Sequence, residues 1–514
     1  MQTGEGKTVS AVPAAVFGGI LGRGAHVATP NSYLASRDFE QLQGVYESLG
    51  LTVGLLESGG DANEQKAAAY ACDITYGPGY EFGFDYLRDQ LLLKQRDDMV
   101  RGLGFSIVDE ADNVLLDDAT SPQVLSEFQS GDAPDKEAVL LAGRLAKVLE
   151  EKTHFREPAP QQIELTPAGV EAIHQTEISI PVNQLIRPWA KYVEAALKAD
   201  RLFIRDVNYI VEENEIRIVD ESTGRIFEDR TWQAGIHQAI EAKEQVPVTP
   251  ESLPLAQITR QRFYRLYEHL SGMTGTAQNC HGELKAVYGL GVKEIPLRVP
   301  SQRQTYPFRA FASQAQKWDA IIESVKEIHG QQRPVLIGTR TISESVVLAG
   351  QLEEAGLGFV LLNGRQDCEE AEVVANAGAA GEITIATNLA GRGTDIKLGP
   401  GVSELGGLHV VVSECQASYR VDRQLVGRCG RQGDPGSSQT FVSADDWLLE
   451  THAPWLADSL RQVANVGEGG EAGIDVESKI RRIQKQLEKQ HYAARLSLLR
   501  QNQRQNDILA SHWY

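Results

Sequence analysis

The chain has 514 residues, 42% of them hydrophobic and 23% charged, a globular composition that excludes a disordered chain, a collagen-like repeat and a small staple-dependent scaffold. A chain of this length should hold roughly three or four domains. With 70 acidic and 50 basic residues the net charge is -20, which disfavours broad sequence-independent binding to nucleic-acid phosphates and leaves room only for a local basic groove. Cys72, Cys280, Cys368, Cys415 and Cys429 form no CxxC pair and have no histidine at zinc-ligand spacing, so they read as free thiols in a reducing compartment. The longest mostly apolar run, Ala11 to Leu21, is about half a membrane span and is broken by Pro13, Gly18 and Gly19. No basic segment precedes it, so neither a signal peptide nor a transmembrane helix is expected.

In chain order, the sequence opens on a glycine-rich stretch ending in Gly6-Lys7-Thr8, with no element expected ahead of it. From Gly24 to Leu116 short apolar or β-branched runs alternate with helical stretches, predicting strands at Ala25–Thr29, Thr52–Leu56, Asp73–Tyr76 and Phe105–Val108. Such alternation argues for a parallel sheet with crossover helices. A charged, proline-dotted stretch over Ser121–Pro167 breaks the rhythm, and a strand-rich patch at Arg201–Ile210 and Glu215–Val219 follows, predicting an inserted domain. Helical periodicity is expected from Leu255 to Leu270. A second strand and helix series runs from Pro334 to Val442, with strands near Val335–Gly338, Phe359–Leu362, Ile383–Thr387 and Leu408–Val412. After a loop at Gly467–Gly473, Val476–Leu509 reads as one long helix with Ile480, Ile483, Leu487, Ala494 and Leu498 on a common stripe. Two α/β lobes therefore flank an insertion.

Four blocks carry chemistry. Thr3-Gly4-Glu5-Gly6-Lys7-Thr8 has the form of a phosphate-binding loop, whose backbone N–H groups surround the phosphates while Lys7 neutralises the β and γ charges and Thr8 holds Mg²⁺. The apolar strand Phe105–Val108 runs into Asp109-Glu110-Ala111-Asp112, where Asp109 would hold Mg²⁺ through water and Glu110 would orient and deprotonate the attacking water. The second lobe adds Thr387-Asn388-Leu389-Ala390-Gly391-Arg392-Gly393-Thr394-Asp395 and Gln424-Leu425-Val426-Gly427-Arg428-Cys429-Gly430-Arg431-Gln432-Gly433. Arginines held by glycine-rich turns suit bidentate contacts to a γ-phosphate across a cleft, with Arg428 or Arg431 as the finger. Together these blocks resemble the two RecA-like lobes of a helicase-type motor, with ATP between them.

The resemblance becomes specific in further blocks. Thr29-Pro30-Asn31-Ser32-Tyr33-Leu34-Ala35-Ser36-Arg37-Asp38, Asp73-Ile74-Thr75-Tyr76-Gly77, Glu81 to Asp89, and Gly272-Met273-Thr274-Gly275-Thr276-Ala277 resemble signatures of the SecA preprotein translocase ATPase family. So do Ile218 to Arg225 and Gly235 to Glu244, which are similar to that family's preprotein cross-linking domain. The fold implied is α/β: two RecA-like P-loop NTPase lobes with an inserted α+β preprotein-binding domain and a C-terminal long helix. The divisions are 1–120 and 251–298 for the first lobe, 121–250 for the insertion, 299–460 for the second lobe and 461–514 for a helical scaffold.

By this resemblance Glu110, Asp109, Arg428 and Arg431 are catalytic. Thr3, Gly4, Glu5, Gly6, Lys7, Thr8, Gly393 and Asp395 bind the nucleotide, and Thr8 and Asp109 hold the metal. ATP and Mg²⁺ are the implied cofactors. The implied partners are an unfolded preprotein at about Leu185–Val248, the Sec channel, anionic lipid at the inner membrane face and a second copy in a homodimer, with no specific nucleic acid. The implied location is the cytoplasm and the cytoplasmic face of the inner membrane. Against the family pattern the chain reads as divergent and truncated at both ends, without the strand and adenine-contacting glutamine before the phosphate loop and without the segments beyond the scaffold helix. Ser32 replaces an acid and Val426 an arginine, while Pro300–Gln304 and Gly364–Asp367 blur two further blocks. Two other readings stay open: a weakly catalytic or non-catalytic polypeptide-binding relative, and a DEAD-type nucleic-acid helicase.

Other residues have two readings each. The basic residues Lys479, Arg481, Arg482, Lys485, Lys489, Arg495, Arg500 and Arg504 form either a lipid- or partner-binding face or a solvated face of a helix packed across both lobes. Trp189, Trp232, Trp318, Phe203 and Tyr209 line a peptide groove or pack in cores. Cys429, beside two arginines, is an activated thiol or a small buried residue. His237 and His409 read as structural.

Overall fold

The computed structural model describes residues 1–2, 4–57, 63–91, 100, 102–127, 131–159, 162–175, 178–219, 226–227, 231–251, 253–362, 373–374, 376–387, 395–464 and 471–511. In the first lobe five strands form a wholly parallel sheet in the order His269–Gly272, Phe105–Val108, Ala25–Thr29, Ile74–Pro78, Val53–Leu55. Ala25–Thr29, Ile74–Pro78 and Phe105–Val108 are buried at every position, as a sheet covered on both faces requires. His26 inside this layer is kept neutral by burial, which pushes its pKa down to about 3, and its Nδ1 meets Tyr267 Oη at 2.8 Å. The second lobe is a seven-stranded parallel sheet ordered Gln302–Thr305, Pro435–Ser443, Leu408–Val412, Val335–Thr339, Ile383–Thr387, Val360–Leu362, with Arg309–Phe311 also paired to Pro435–Ser443. The strands expected in both lobes are present, with ends shifted by one or two residues.

Between the lobes' sequences, the antiparallel pair Pro122–Glu127 and Leu253–Thr259 carries the chain out of the first lobe and back. The intervening residues build their own core around Ala138, Val139, Trp189, Tyr192, Val193 and Leu197. A three-stranded antiparallel sheet, Ile226–Phe227, Glu215–Val219 and Tyr209–Glu212, completes the insertion. Ile210 and Val219 of that sheet pack with Ile342 of the second lobe.

Three expectations are corrected. Arg201–Ile210 is not one strand: Trp189–Arg201 is a helix whose buried residues include Trp189, Tyr192, Val193, Ala196 and Leu197 at helical spacing, Arg205 makes only an isolated bridge, and the strand begins at Tyr209. Leu255–Leu270 is not one helix but the strand Leu253–Thr259, the short helix Arg260–Tyr264 and the strand His269–Gly272. Backbone pairing with Pro122–Glu127 and Phe105–Val108 overrides local propensity there. The long helix exists as Glu477–Ser511, but its inward stripe turns away from the expected one beyond Leu487: Ala494 is exposed, Leu498 half-buried, and Arg495 and Leu499 are buried.

That helix bridges the lobes. Val476, Ile480, Ile483 and Leu487 join the second lobe's core with Leu448 and Leu456. Arg495 reaches the first lobe, where it pairs with Glu283 and donates to the Leu116 carbonyl at 3.1 Å. Arg482, Lys485, Lys489, Arg500 and Arg504 are exposed, so the basic residues divide between a solvated face and inward contacts. Trp189 and Trp318 lie in separate cores and share no groove, whereas Trp232 meets Phe203 and Tyr209 edge-on in a third core. Cys72, Cys280, Cys415 and Cys429 are free thiols, and Cys368 lies outside the described residues. Among the described residues no helix is long and apolar enough to cross a membrane.

Two outcomes follow from this packing. A Cβ at Gly436 would lie 2.7 Å from the Gly430 amide nitrogen and 2.9 Å from Cys429 Cβ, and rotamer changes cannot move backbone. Gly436→Ala is expected to lower the unfolding free energy by about 1–3 kcal/mol in urea titrations. Asp422 is buried beneath the long helix, which pushes its carboxyl up to about 7 despite hydrogen bonds from the Gln416 amide at 2.9 Å and Gln484 Nε2 at 2.7 Å. The native state then holds a proton that the unfolded chain releases, so this group's contribution falls as pH rises from about 4 to about 7. Asp422→Asn should therefore gain stability relative to the parent across that window, read by denaturant midpoints at both ends; a constant difference would contradict it.

Candidate nucleotide site between the lobes

The phosphate loop turns on Gly4 and Gly6, both at φ 85°, a left-handed conformation open to glycine at no steric cost. It feeds the helix Lys7–Ile20, whose start has no side-chain cap, so its first N–H groups face outward as anion donors. Lys7 is buried at 9% exposure and forms an ion pair with Glu110. Burial alone would lower the lysine's pKa, but the charges of Glu110, Asp109 and Asp112 outweigh it and raise the value. Thr8 follows, half-buried, in the first turn.

Asp109 and Glu110 leave the end of Phe105–Val108. The Asp109 amide donates to the Ala28 carbonyl at 2.8 Å, which fixes the first acid beside the neighbouring strand. Burial and the adjacent Glu110 push the Asp109 carboxyl up to about 6, against the pull of Lys7. Its Oδ1 is buried with no hydrogen-bond partner among the described residues, which fits a carboxylate awaiting a hydrated cation. Glu110 sits at φ 47°, a strained conformation for a residue with a side chain.

The third acid, Asp112, is fully buried and ties three segments together. Thr274 Oγ1 donates to it at 2.7 Å, Thr276 Oγ1 also donates, and Gln424 Nε2 reaches it from the second lobe at 2.8 Å. Gln424 lies on the helix Tyr419–Val426, capped by Ser418. Arg420, one turn earlier on that helix, makes two hydrogen bonds to Asp117 at 2.7 and 3.2 Å and lies 3.6 Å from Asp112.

Beyond this helix, Arg431 donates to the Gly427 carbonyl at 2.8 Å and pairs with Asp395 at 2.5 Å. Its aliphatic stem lies against the phosphate loop, where a Cβ on Gly4 would meet Arg431 Cδ at 3.2 Å. The cleft here is lined by Gln2, Glu5, Thr276, Val299, Arg303 and Arg431 among others; Arg428 is buried and is not among the lining residues. Gly4, Glu5, Gly6, Lys7, Thr8, Asp109, Glu110, Asp395 and Arg431 thus gather at one seam; Thr3 and Gly393 lie outside the described residues. Cys429 is buried, and burial pushes its thiol up despite Arg303 and Arg431, so it is the inert reading that holds. His237 and His409 are buried, with pKa values pushed down to about 4, and the described residues contain no metal-binding cluster of His, Cys, Asp and Glu.

Reading motifs alone misses Arg420, Gln424, Thr274 and Thr276 as site residues. The signal available was helical spacing: positions 420 and 424 fall on one face of a helix that ends at the arginine-rich turn.

The family model of the SecA DEAD-like domain matches residues 1–285, and that of the SecA P-loop domain matches 300–404 and 400–468. A "Protein translocase subunit SecA" of Syntrophus aciditrophicus is 41% identical over 97% of this chain, and the chain spans 59% of that relative. A "Protein translocase subunit SecA 2" of Nitrosospira multiformis is 43% identical over 87% of this chain and 70% of its own length. A second "SecA 2", of Rhodopirellula baltica, is 38% identical over 97% of this chain and 80% of its own length. With two RecA-like lobes, a buried Lys7–Glu110 pair at their seam, and family models that match both lobes, the chain belongs to the SecA family.

Proposed function

We propose that the chain hydrolyses ATP between its lobes and couples that cycle to the binding and export of unfolded preproteins through the Sec channel. The observation that carries the ATPase reading is the buried Lys7–Glu110 ion pair next to the unpartnered Asp109 Oδ1. In this reading the γ-phosphate displaces Glu110 from Lys7 and takes the ammonium itself. The freed Glu110 carboxylate then accepts a proton from water as the water oxygen bonds to the γ-phosphorus and the bond to the ADP oxygen breaks. Thr8 and, through water, Asp109 would hold Mg²⁺, which when bound neutralises charge on the β and γ oxygens. The loop formed by Gly4, Glu5 and Gly6 cradles the phosphates, and the family resemblance assigns Thr3, Gly393 and Asp395 the remaining nucleotide contacts. Arg431 is the finger, because its stem already lies on the phosphate loop and it lines the cleft.

The translocation reading is supported by the relatives' names and by the insertion. Its antiparallel stem and separate core make it a body that can move against the lobes, with Ile210 and Val219 resting on Ile342 of the second lobe. The divisions 1–120, 121–250, 251–298, 299–460 and 461–514 describe these bodies, and work at the cytoplasmic face of the inner membrane follows from the same reading.

The test is ATP turnover by the purified chain with and without an unfolded preprotein, beside Glu110→Gln and Lys7→Ala. Glu110→Gln should bind ATP and lose about a hundredfold or more in kcat. Lys7→Ala should lose ATP binding. A parent chain that binds unfolded polypeptide but turns over no ATP would replace the motor reading with a non-catalytic binding module.

A further inference from the structure

The turn that carries Arg431 is fastened to the phosphate loop by the next residue. Gln432 Nε2 donates to the Gly4 carbonyl at 2.8 Å, a direct bond between the two lobes. Gln432 does this from φ 52°, in the left-handed region that favours glycine, and its neighbours Gly430 and Gly433 occupy the same region at φ 64° and 89°. A residue with a side chain is strained there, and such strain persists only where the surroundings hold it in place. Here the surroundings are specific. Gln302 Nε2 donates to the Gly433 carbonyl at 2.7 Å, Gly433 packs on Val299, and Arg303 Nε donates to the Cys429 carbonyl at 3.0 Å. The linker between the lobes thus braces the turn from one side while Gln432 holds the loop from the other.

The chemistry of the bond matters. Phosphate oxygens take N–H groups and cations, and they are repelled by carbonyl oxygens. The Gly4 carbonyl is therefore an acceptor that an incoming triphosphate does not replace, and because the Gln432 carboxamide carries two N–H donors, one can stay on that carbonyl while the other faces a phosphate oxygen. Arg431, one residue away, is held at Asp395 and the Gly427 carbonyl with its stem on Gly4.

We propose that Gln432 is a positioning residue: its carboxamide registers the arginine turn of the second lobe on the phosphate loop before and after nucleotide enters, so that Arg431 need only exchange Asp395 for the γ-phosphate. This rests on the ATP-hydrolysis reading for its kinetic consequence but not for its structural one. Gln432 contributes orientation, and orientation acts on the transition state more than on ground-state binding.

Two variants separate side chain from backbone. Gln432→Glu is nearly isosteric but sets a carboxylate against the carbonyl; Gln432→Gly removes the donor while relieving the strained φ. Both should lower kcat by about two- to tenfold, the range for one lost hydrogen bond, with KM for ATP little changed. Both should also lengthen and broaden the distance between dyes placed one on each lobe of the full chain without nucleotide. Gln432→Gly should keep its thermal midpoint, which a residue serving only stability would not. Parental kcat and parental interlobe distance in both variants would overturn the proposal, as would a loss confined to KM. If the parent turns over no ATP while the interlobe distance still responds to both variants, the ATPase reading fails and the Gln432 contact stands.

Discussion

A single buried carboxylate sets the arrangement of this site. Asp112 has no exposed surface, so its charge must be met by donors brought from elsewhere in the chain. Thr274 and Thr276 come from the turn after His269–Gly272, and Gln424 comes from the second lobe. The turn holding Asp109 and Glu110, the outer strand of the first sheet and the helix Tyr419–Val426 are therefore held in one register. Arg420, with its bonds to Asp117, extends the same junction by one helical turn.

Around that junction acids outnumber bases. Asp109, Glu110, Asp112 and Asp117 are set against Lys7 and Arg420, and burial makes every mismatch costly. The consequence is that burial and Glu110 push the Asp109 carboxyl up to about 6, while the neighbouring acids favour the charged form of Lys7. A site built this way favours the arrival of an additional cation, which relieves the acidic charge that Lys7 and Arg420 leave uncompensated. Glu110 at φ 47° adds backbone strain at the residue proposed to move the proton.

The blocks Thr3–Thr8, Asp109–Asp112 and Gln424–Gly433 were legible in the sequence because glycine and charge at short fixed spacing have few other uses. Strand positions were equally legible where residues such as Ile383–Thr387 and Leu408–Val412 are buried at every position and are therefore rich in β-branched and apolar side chains. Leu255–Leu270 was misread because its apolar spacing fits a helix, while partners far away in sequence made strands of both its ends. On the long helix, Arg495 takes a buried position that a hydrophobic stripe could not reveal, since its guanidinium is matched by Glu283 and the Leu116 carbonyl. Arg420, and the reach of Gln424 to Asp112, were hidden for the same reason: a polar side chain's partner is not written beside it in the sequence.

The sequence by itself determined two α/β lobes around an insertion, the phosphate loop, the paired acids and the arginine turn, because these depend on local backbone geometry and on periodic burial. Only the tertiary structure decided which arginine lines the cleft, which residues join the lobes at Asp112 and Gly4, and how the long helix spans them. Those choices depend on pairing between residues hundreds of positions apart, where burial makes hydrogen bonds and charges strong and where no local pattern records the partner.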